Sequence, residues 1–125
     1  MIRDPAAARA LKGDAGTVQA TRRAHMEQAH ESILAEIRGE TAAALGRAGR
    51  KLQSALVALH TVAERFHALD YDDPDRLELS IEHRARRHEA LRARWELEVH
   101  REAIGLLRHD DLYELYPIPE PLPRL

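Results

Sequence analysis

The sequence contains no cysteine, few aromatic residues and no long hydrophobic run, and each absence excludes something. Without cysteine among its 125 residues, the chain has no disulfide, no thiolate metal ligand and no cysteine nucleophile. A single Trp, three Tyr and a single Phe indicate a core of Leu and Ala, which suits packing between helices. No segment approaches the roughly 20 apolar residues of a membrane-spanning helix, and the N-terminus lacks the apolar run of a signal peptide. We therefore expect a cytoplasmic protein with no membrane contact.

Proline is also absent from two long stretches, and this absence indicates the architecture. After Pro5 and Pro74, the other four alternate near the C-terminus: Pro117, Pro119, Pro121 and Pro123. Since proline breaks a helix interior, the proline-free stretches predict two long helices, at about residues 17–69 and 74–109. Their connection is so short that the helices are expected to be antiparallel neighbours. The predicted fold is all-α, a hairpin of two long helices followed by an extended Pro-rich tail over residues 110–125.

Residues 1–16 are predicted to form a short, flexible N-terminal segment. Asp4 is expected to cap a helical turn with Pro5 in its first position, and Gly13 is expected to end it. At the start of the second long helix, Asp73 is the expected N-cap and Pro74 the expected first helical residue. The domain prediction is therefore a flexible segment, a hairpin over residues 17–109 and a tail.

The first long helix carries the heptad pattern of a coiled coil. Apolar residues recur every seven positions, with a second set at the companion positions: Leu45, Leu52, Leu59 and Phe66, then Leu34, Ala48, Ala55, Val62 and Leu69. The second helix has an apolar stripe that we expect to face the first helix: Leu77, Ile81, Ala85, Leu91, Trp95, Val99 and Leu106. On this interpretation Trp95 is a packing anchor, and His88 on the same stripe is a hydrogen-bonded core histidine.

The middle of the first helix is apolar or small on more than one face. Residues 41–63 contain no acidic residue, and Ala43 and Val57 lie outside the predicted seam. A helix that is apolar around most of its girth is normally buried on several sides, whereas one hairpin offers one neighbour. This favours a homodimer that forms a four-helix bundle, with these candidate interface residues: Leu45, Leu52, Leu56, Val57, Leu59, Phe66, Trp95, Tyr113 and Tyr116. The alternative is that alanine, the best helix former, lies in solvent.

Charges on the second helix form two rows with a seven-residue spacing. The basic row is Arg87, Arg94, Arg101 and Arg108, and the acidic row is Asp75, Glu82, Glu89 and Glu96. The rows lie about 100° to either side of a line through His88 and Trp95. Two rows of opposite charge can select a partner helix and its orientation. They equally fit a solvated face on which ion pairs form along the helix itself.

A cluster of His and Glu on the first helix provides an alternative function. His60, Glu64 and His67 share one face, and Glu64-x-x-His67 resembles the Glu-x-x-His motif of ferritin-like di-iron bundles. A second such tetrad begins at Glu27 and ends at His30. The resemblance implies a Zn or Fe site with imidazole and carboxylate ligands. His60 and His67 lie beside the predicted seam rather than in it, so we do not make this the main prediction.

The tail allows two interpretations. Its prolines are two residues apart, which excludes the three-residue spacing of a PxxP ligand. It either straps over the first helix, in its own copy or in a swapped one, or docks another protein. Tyr113 and Tyr116 are the expected anchors.

The predicted function is that of a non-catalytic helical structural or adaptor protein that acts through self-association and partner binding, with no cofactor. No phosphate-binding loop or nucleophile elbow occurs in the sequence. A weaker alternative is nucleic-acid binding by the Arg-rich run 83–94, which the net charge of −2 does not favour. Of the 19 basic residues only Lys12 and Lys51 are lysine, which indicates the codon bias of a GC-rich bacterium.

Overall fold

The structure is a computed structural model that describes the backbone of residues 5–123 and the side chains of residues 16–123. It contains three helices in chain order: α1 Pro5–Ala68, α2 Asp75–Ala103 and α3 Asp110–Leu115. No strand occurs in the described backbone, which confirms the predicted all-α class. Within the same residues, no helix combines the length and the apolar character needed to cross a membrane.

The chain divides into two compact units, Met1–Glu40 and Thr41–Leu125. In the first unit the described side chains are exposed except that of Leu34, which is half-buried. Ile33 and Ile37, for example, are 54% and 55% exposed. The second unit contains the rest of α1, all of α2 and α3, and both hydrophobic clusters of the core.

Helix α1 begins at Pro5, earlier than the predicted start near residue 17, and it continues through Gly13 and Gly16. A glycine in a helix interior costs about 1 kcal/mol relative to alanine, which the run of good helix formers before these positions, residues 6–12, offsets. The expected stop at Gly13 is therefore wrong. The expected N-cap, Asp4, and the rest of residues 1–4 lie outside the described residues.

The start of α2 follows the predicted capping arrangement. The Asp75 backbone N–H donates a hydrogen bond of 2.9 Å to Asp73 Oδ1. Pro74 has helical dihedral angles, φ −63° and ψ −23°, so the backbone is already helical one residue before Asp75. Proline fits this position because the N–H that it lacks would have no partner within the helix. A turn of this kind reverses the chain and brings α2 back along α1.

Helix α2 ends at Ala103, before the predicted end at residue 109, because of Gly105. This glycine has φ 91°, a left-handed conformation that glycine adopts without a steric penalty. Its N–H donates to the Glu102 carbonyl at 3.0 Å, and the Leu106 N–H donates to the Arg101 carbonyl at 3.0 Å. Together these bonds form a Schellman motif, which ends a helix. The chain then forms α3 inside the region predicted to be extended, and residues 116–123 have neither helix nor strand.

The core confirms the heptad seam of α1. Leu52 and Leu59 are 0% exposed and Phe66 is 1% exposed. One cluster joins the middle of the hairpin to α3: Ala48, Leu52, Leu56, Leu59, Ala90, Ala93, Leu97 and Leu112. A second cluster near the α1–α2 turn contains Val62, Phe66 and Leu79. The two long helices therefore pack against each other, as predicted.

The prediction for the inward face of α2 is wrong, because the predicted stripe faces outward. Leu77, Ile81 and Trp95 are 60%, 56% and 60% exposed, and His88 is also exposed. The buried residues of α2 lie on the opposite side of the helix, about 180° away: Leu79, His83, Ala90, Ala93 and Leu97. The physical reason is size, since two alanines in the middle of this face let α2 lie close to the leucines of α1. His83, not His88, is the core histidine.

The C-terminal segment, which we define as residues 110–123, packs along the hairpin of its own chain. Leu112 is buried in the first cluster, Tyr116 and Ile118 pack against that cluster, and Leu122 packs against the second. The Tyr116 hydroxyl also accepts a hydrogen bond of 3.3 Å from Gln53 Nε2. The segment therefore contacts both parts of the hairpin core.

Three arginines of the basic row hold the C-terminal segment. Arg87 Nε donates a hydrogen bond of 2.8 Å to the Pro119 carbonyl oxygen, and the Arg94 guanidinium lies 4.5 Å from the centroid of the Tyr113 ring. Arg101 donates to both carboxylate oxygens of Asp111, at 2.9 and 3.1 Å. The hydrogen bond from Arg101 lowers the pKa of the Asp111 carboxyl. The partners occur in reverse order along the chain, so the segment runs antiparallel to α2.

Candidate interaction surface on the second long helix

The most prominent exposed feature of the second unit is a line of large apolar side chains on α2, the outer stripe. Its members are Leu77, Ile81, Leu91, Trp95 and Val99. Val99 is 42% exposed and Leu91 is half-buried. The stripe spans about 33 Å of helix at 1.5 Å per residue. Large exposed apolar side chains that share one helical face favour an interaction site in a soluble protein.

The outer stripe makes α2 apolar on two opposite faces. The inner face packs against α1 through residues such as Ala90 and Leu97, which are 0% and 6% exposed. A helix with a single covered face normally carries charged and polar residues on the other. Helix α2 instead presents leucine, isoleucine, tryptophan and valine there. Its composition is that of a helix with neighbours on two sides.

The charged rows beside the stripe are engaged within the chain. The basic row contacts the C-terminal segment, as described above. In the acidic row, Glu96 pairs with Lys51 Nζ at 2.8 Å and with Arg92 at 3.6 Å, and the hydrogen bond from Lys51 lowers the pKa of the Glu96 carboxyl. Two further members of that row, Glu82 and Glu89, flank Arg86 at 3.9 and 3.2 Å. These charges therefore stabilise the hairpin itself.

The residues predicted to form an interface fall into two groups. Those in or against the hairpin core are Leu45, Leu52, Leu56, Leu59, Phe66 and Tyr116. Those exposed are Val57, Trp95 and Tyr113, at 65%, 60% and 44%. Trp95 belongs to the outer stripe, Val57 to α1 and Tyr113 to the C-terminal segment. Sequence reasoning missed Leu77, Ile81 and Val99 as surface residues because it assigned them to the inner seam.

A groove of about 740 Å³ lies between the first half of α2 and the end of the C-terminal segment. Its apolar residues are Leu77, Ile81, Pro121 and Leu122, and its polar residues are Ser80, His83, Arg84, Arg87 and His88. Among the described residues that line it, none is acidic. A second cleft of about 410 Å³ has a mainly acidic lining, with Asp75, Glu78 and Glu82 and a single arginine, Arg65. The two clefts therefore differ in the charge they are suited to receive.

The base of the larger groove includes His83, which is 2% exposed. Burial lowers the pKa of the His83 imidazole, and electrostatic interactions with Arg87 and His67 lower it further. The ring is therefore neutral at neutral pH, with one nitrogen a donor and the other an acceptor. A signal for this residue was present in the sequence, since Leu79, His83, Ala90 and Leu97 share one helical face.

The predicted metal ligands His60, Glu64 and His67 are exposed on α1. The His67 ring packs edge-on against Phe66, with centroids 5.5 Å apart and an interplanar angle of 83°. Among the residues whose side chains the structure describes, no group of three or more His, Cys, Asp or Glu is arranged to hold a metal ion. The spacing along the helix therefore does not bring a ligand set together in this part of the chain.

The Arg-rich run 83–94 divides its charge among several partners. Arg86, Arg87 and Arg94 contact groups of their own chain. Arg92 is exposed and pairs with Glu96 at 3.6 Å, and Arg84 is exposed. The run therefore contributes mainly to the hairpin and to the C-terminal segment.

Comparisons of the chain with family models, with characterised proteins and with solved structures find no match.

Proposed function

We propose that this protein is a non-catalytic helical interaction protein, structural or adaptor in role, that acts by self-association and partner binding. The observation that carries the proposal is the outer stripe of α2. Leu77, Ile81 and Trp95 each leave more than half of their surface in water. Fully burying one such side chain stabilises an interface by about 1.5–3 kcal/mol, so a stripe of them favours association.

In the proposed homodimer, the outer stripes of two copies face each other. Each hairpin contributes two helices. Because the stripe lies opposite the face of α2 that packs against α1, the four helices are then ordered α1–α2–α2–α1, with the two stripes at the centre. Trp95 is suited to the middle of such an interface, since tryptophan is enriched among the residues that dominate binding energy. A second copy also supplies the neighbour that the outer face of α2 lacks within its own hairpin.

The C-terminal segment is proposed to act as an intramolecular strap in each copy. Its support is the series of contacts with the basic row and the burial of Leu112, which is 2% exposed. Alternating prolines keep residues 117–123 stiff, so little conformational freedom is lost when they dock. The strap leaves the outer stripe exposed, so closing the hairpin and associating with a second copy use different surfaces.

Sedimentation equilibrium tests the proposal. The wild-type chain is expected to show a mass near twice 14.2 kDa, whereas Trp95→Glu is expected to sediment at 14.2 kDa. The fold is expected to tolerate the substitution because Trp95 is 60% exposed and belongs to neither core cluster. It places a charge in the proposed interface, where an unpaired charge is strongly unfavourable.

Val57→Glu is the matched control, since Val57 is 65% exposed on α1. It is expected to leave the dimer intact. A wild-type chain that is monomeric at every concentration would contradict the self-association proposal. Dissociation by Val57→Glu but not by Trp95→Glu would move the interface to α1.

A further inference from the structure

The groove between α2 and the C-terminal segment combines positive charge with an apolar wall. Arg84 and Arg87 line it together with His83 and His88. Arg87 donates one hydrogen bond, from Nε to the Pro119 carbonyl oxygen at 2.8 Å. A guanidinium has five N–H donors, so Arg87 keeps further donors for a ligand while the Pro119 contact fixes its position. The groove therefore has an oriented cationic side.

The apolar lining of the groove is built from two parts of the chain. Leu77 and Ile81 belong to α2, whereas Pro121 and Leu122 come from the end of the C-terminal segment. Leu122 also packs against the cluster of Val62, Phe66 and Leu79, which anchors this wall to the core. The volume of about 740 Å³ lies in the range of small-molecule sites, roughly 300–1,000 Å³.

We propose that this groove binds an amphiphilic carboxylate, a single carboxylate group on an apolar chain of the fatty-acid class. The carboxylate lies against Arg84 and Arg87, since guanidinium groups form strong charge-assisted hydrogen bonds with carboxylates. The apolar chain lies along Leu77, Ile81 and Leu122 and removes their exposed surface from water. Charge complementarity supports this ligand over a cationic one, because the described lining carries arginine and histidine and no acid.

Isothermal titration calorimetry of the full chain with decanoate tests the proposal. Decanoate is expected to bind with one site per chain. Acetate, which lacks the apolar chain, and decyltrimethylammonium, which has the opposite charge, are each expected to bind about tenfold more weakly or worse. Failure to bind decanoate overturns the proposal. Equal binding of decyltrimethylammonium also overturns it, because it would show apolar adsorption only, without recognition of the carboxylate.

Two arginine variants locate the site. Arg84→Gln is expected to raise the Kd for decanoate about tenfold, because a hydrogen bond to a charged group is lost. Arg92→Gln is the matched control, since Arg92 is an exposed arginine on the same helix outside the groove, and its Kd is expected to stay unchanged. Equal effects of the two substitutions would contradict the proposal.

Leu77 and Ile81 belong both to the outer stripe and to the groove, whereas Trp95 does not line the groove. Trp95→Glu is therefore expected to sediment as a monomer and to bind decanoate at least as tightly as the wild type, because no second copy then covers Leu77 and Ile81. Loss of decanoate binding in the folded Trp95→Glu variant would place the ligand at an interface between copies and would overturn the groove assignment.

Discussion

The two apolar faces of α2 differ in side-chain size, and the smaller one forms the core. On the inner face, Ala90 and Ala93 are 0% and 1% exposed between the larger Leu79 and Leu97. On the outer face, Ile81 and Trp95 are 56% and 60% exposed. Since dispersion and burial both grow as helices approach, a face with small residues at its centre can bury its partner's leucines more completely. The face with the larger residues remains available for a second neighbour.

Truncating a leucine on each face gives the largest expected difference. Leu97→Ala on the inner face is expected to lower the free energy of unfolding by about 2–5 kcal/mol, because it leaves a cavity in the first core cluster. Leu77→Ala makes the same change on the outer face of the same helix and is expected to cost about 0.5 kcal/mol or less. Urea unfolding at a low protein concentration measures both values. Similar costs for the two variants would remove the distinction between the faces.

The same comparison extends to α3, which has one buried and one exposed leucine. Leu112 is 2% exposed and belongs to the first core cluster, whereas Leu115 is 71% exposed. Leu112→Ala is expected to cost about 2 kcal/mol or more, and Leu115→Ala less than about 0.5 kcal/mol. If Leu112→Ala proves as mild as Leu115→Ala in urea unfolding, the C-terminal segment does not complete the core.

Enlarging an alanine on each face tests whether size selects the inner face. Ala90→Leu is expected to destabilise the hairpin by about 1–3 kcal/mol, because the added atoms force α2 away from Leu52 and Leu59. Ala85→Leu, at an exposed position of α2, is expected to stay within about 0.5 kcal/mol of the wild type. Thermal or urea unfolding distinguishes the two outcomes. A neutral Ala90→Leu would show that close approach is not what favours this face.

The smallest expected effect is a pH dependence that arises from His83 on the inner face. The unfolded chain has the ordinary His pKa of 6.5, and the folded chain has a lower one because of burial, Arg87 and His67. Well above pH 6.5 both states carry a neutral imidazole. As the pH falls below that value the unfolded state takes up the proton first, so the free energy of unfolding decreases until the pH reaches the folded pKa.

Urea unfolding at several pH values measures this loss, and NMR titration of the imidazole signals measures the pKa directly. His83→Gln is expected to show a smaller loss of stability in this pH range than the wild type. His88→Gln, at an exposed histidine of the same helix, is expected to keep the wild-type pH dependence. A His83 that titrates at or above its ordinary pKa would contradict its burial.

Much of the hairpin could be predicted from the sequence. The seam of α1 is unambiguous, since Leu52, Leu59 and Phe66 repeat at seven residues and all are buried. The start of α2 could also be predicted, because Asp73 and Pro74 form a local capping pattern. The end of α2 carried a local signal as well, since Gly105 lies just beyond the helix, but the predicted helix extended past it to residue 109.

The orientation of α2 could not be predicted in the same way. Both of its faces carry apolar residues at helical spacing. Which face packs against α1 depends on how closely the two helix axes can approach, and the spacing of apolar residues along the sequence does not give that distance. The groove was also inaccessible to sequence reasoning. It forms where Pro121 and Leu122 return beside Ile81, and a contact between residues so far apart in the chain leaves no local pattern.

The central claim is that the outer stripe is exposed in one hairpin and covered by a second copy. Trp95, the only tryptophan of the chain, reports on this surface directly through its fluorescence. In dilute protein its emission is expected to be that of a solvent-exposed indole, and at high concentration it is expected to shift to shorter wavelength as the stripe is buried. The midpoint of this shift should coincide with the change in mass seen by sedimentation. An emission spectrum that does not change with concentration while the mass doubles would contradict the claim.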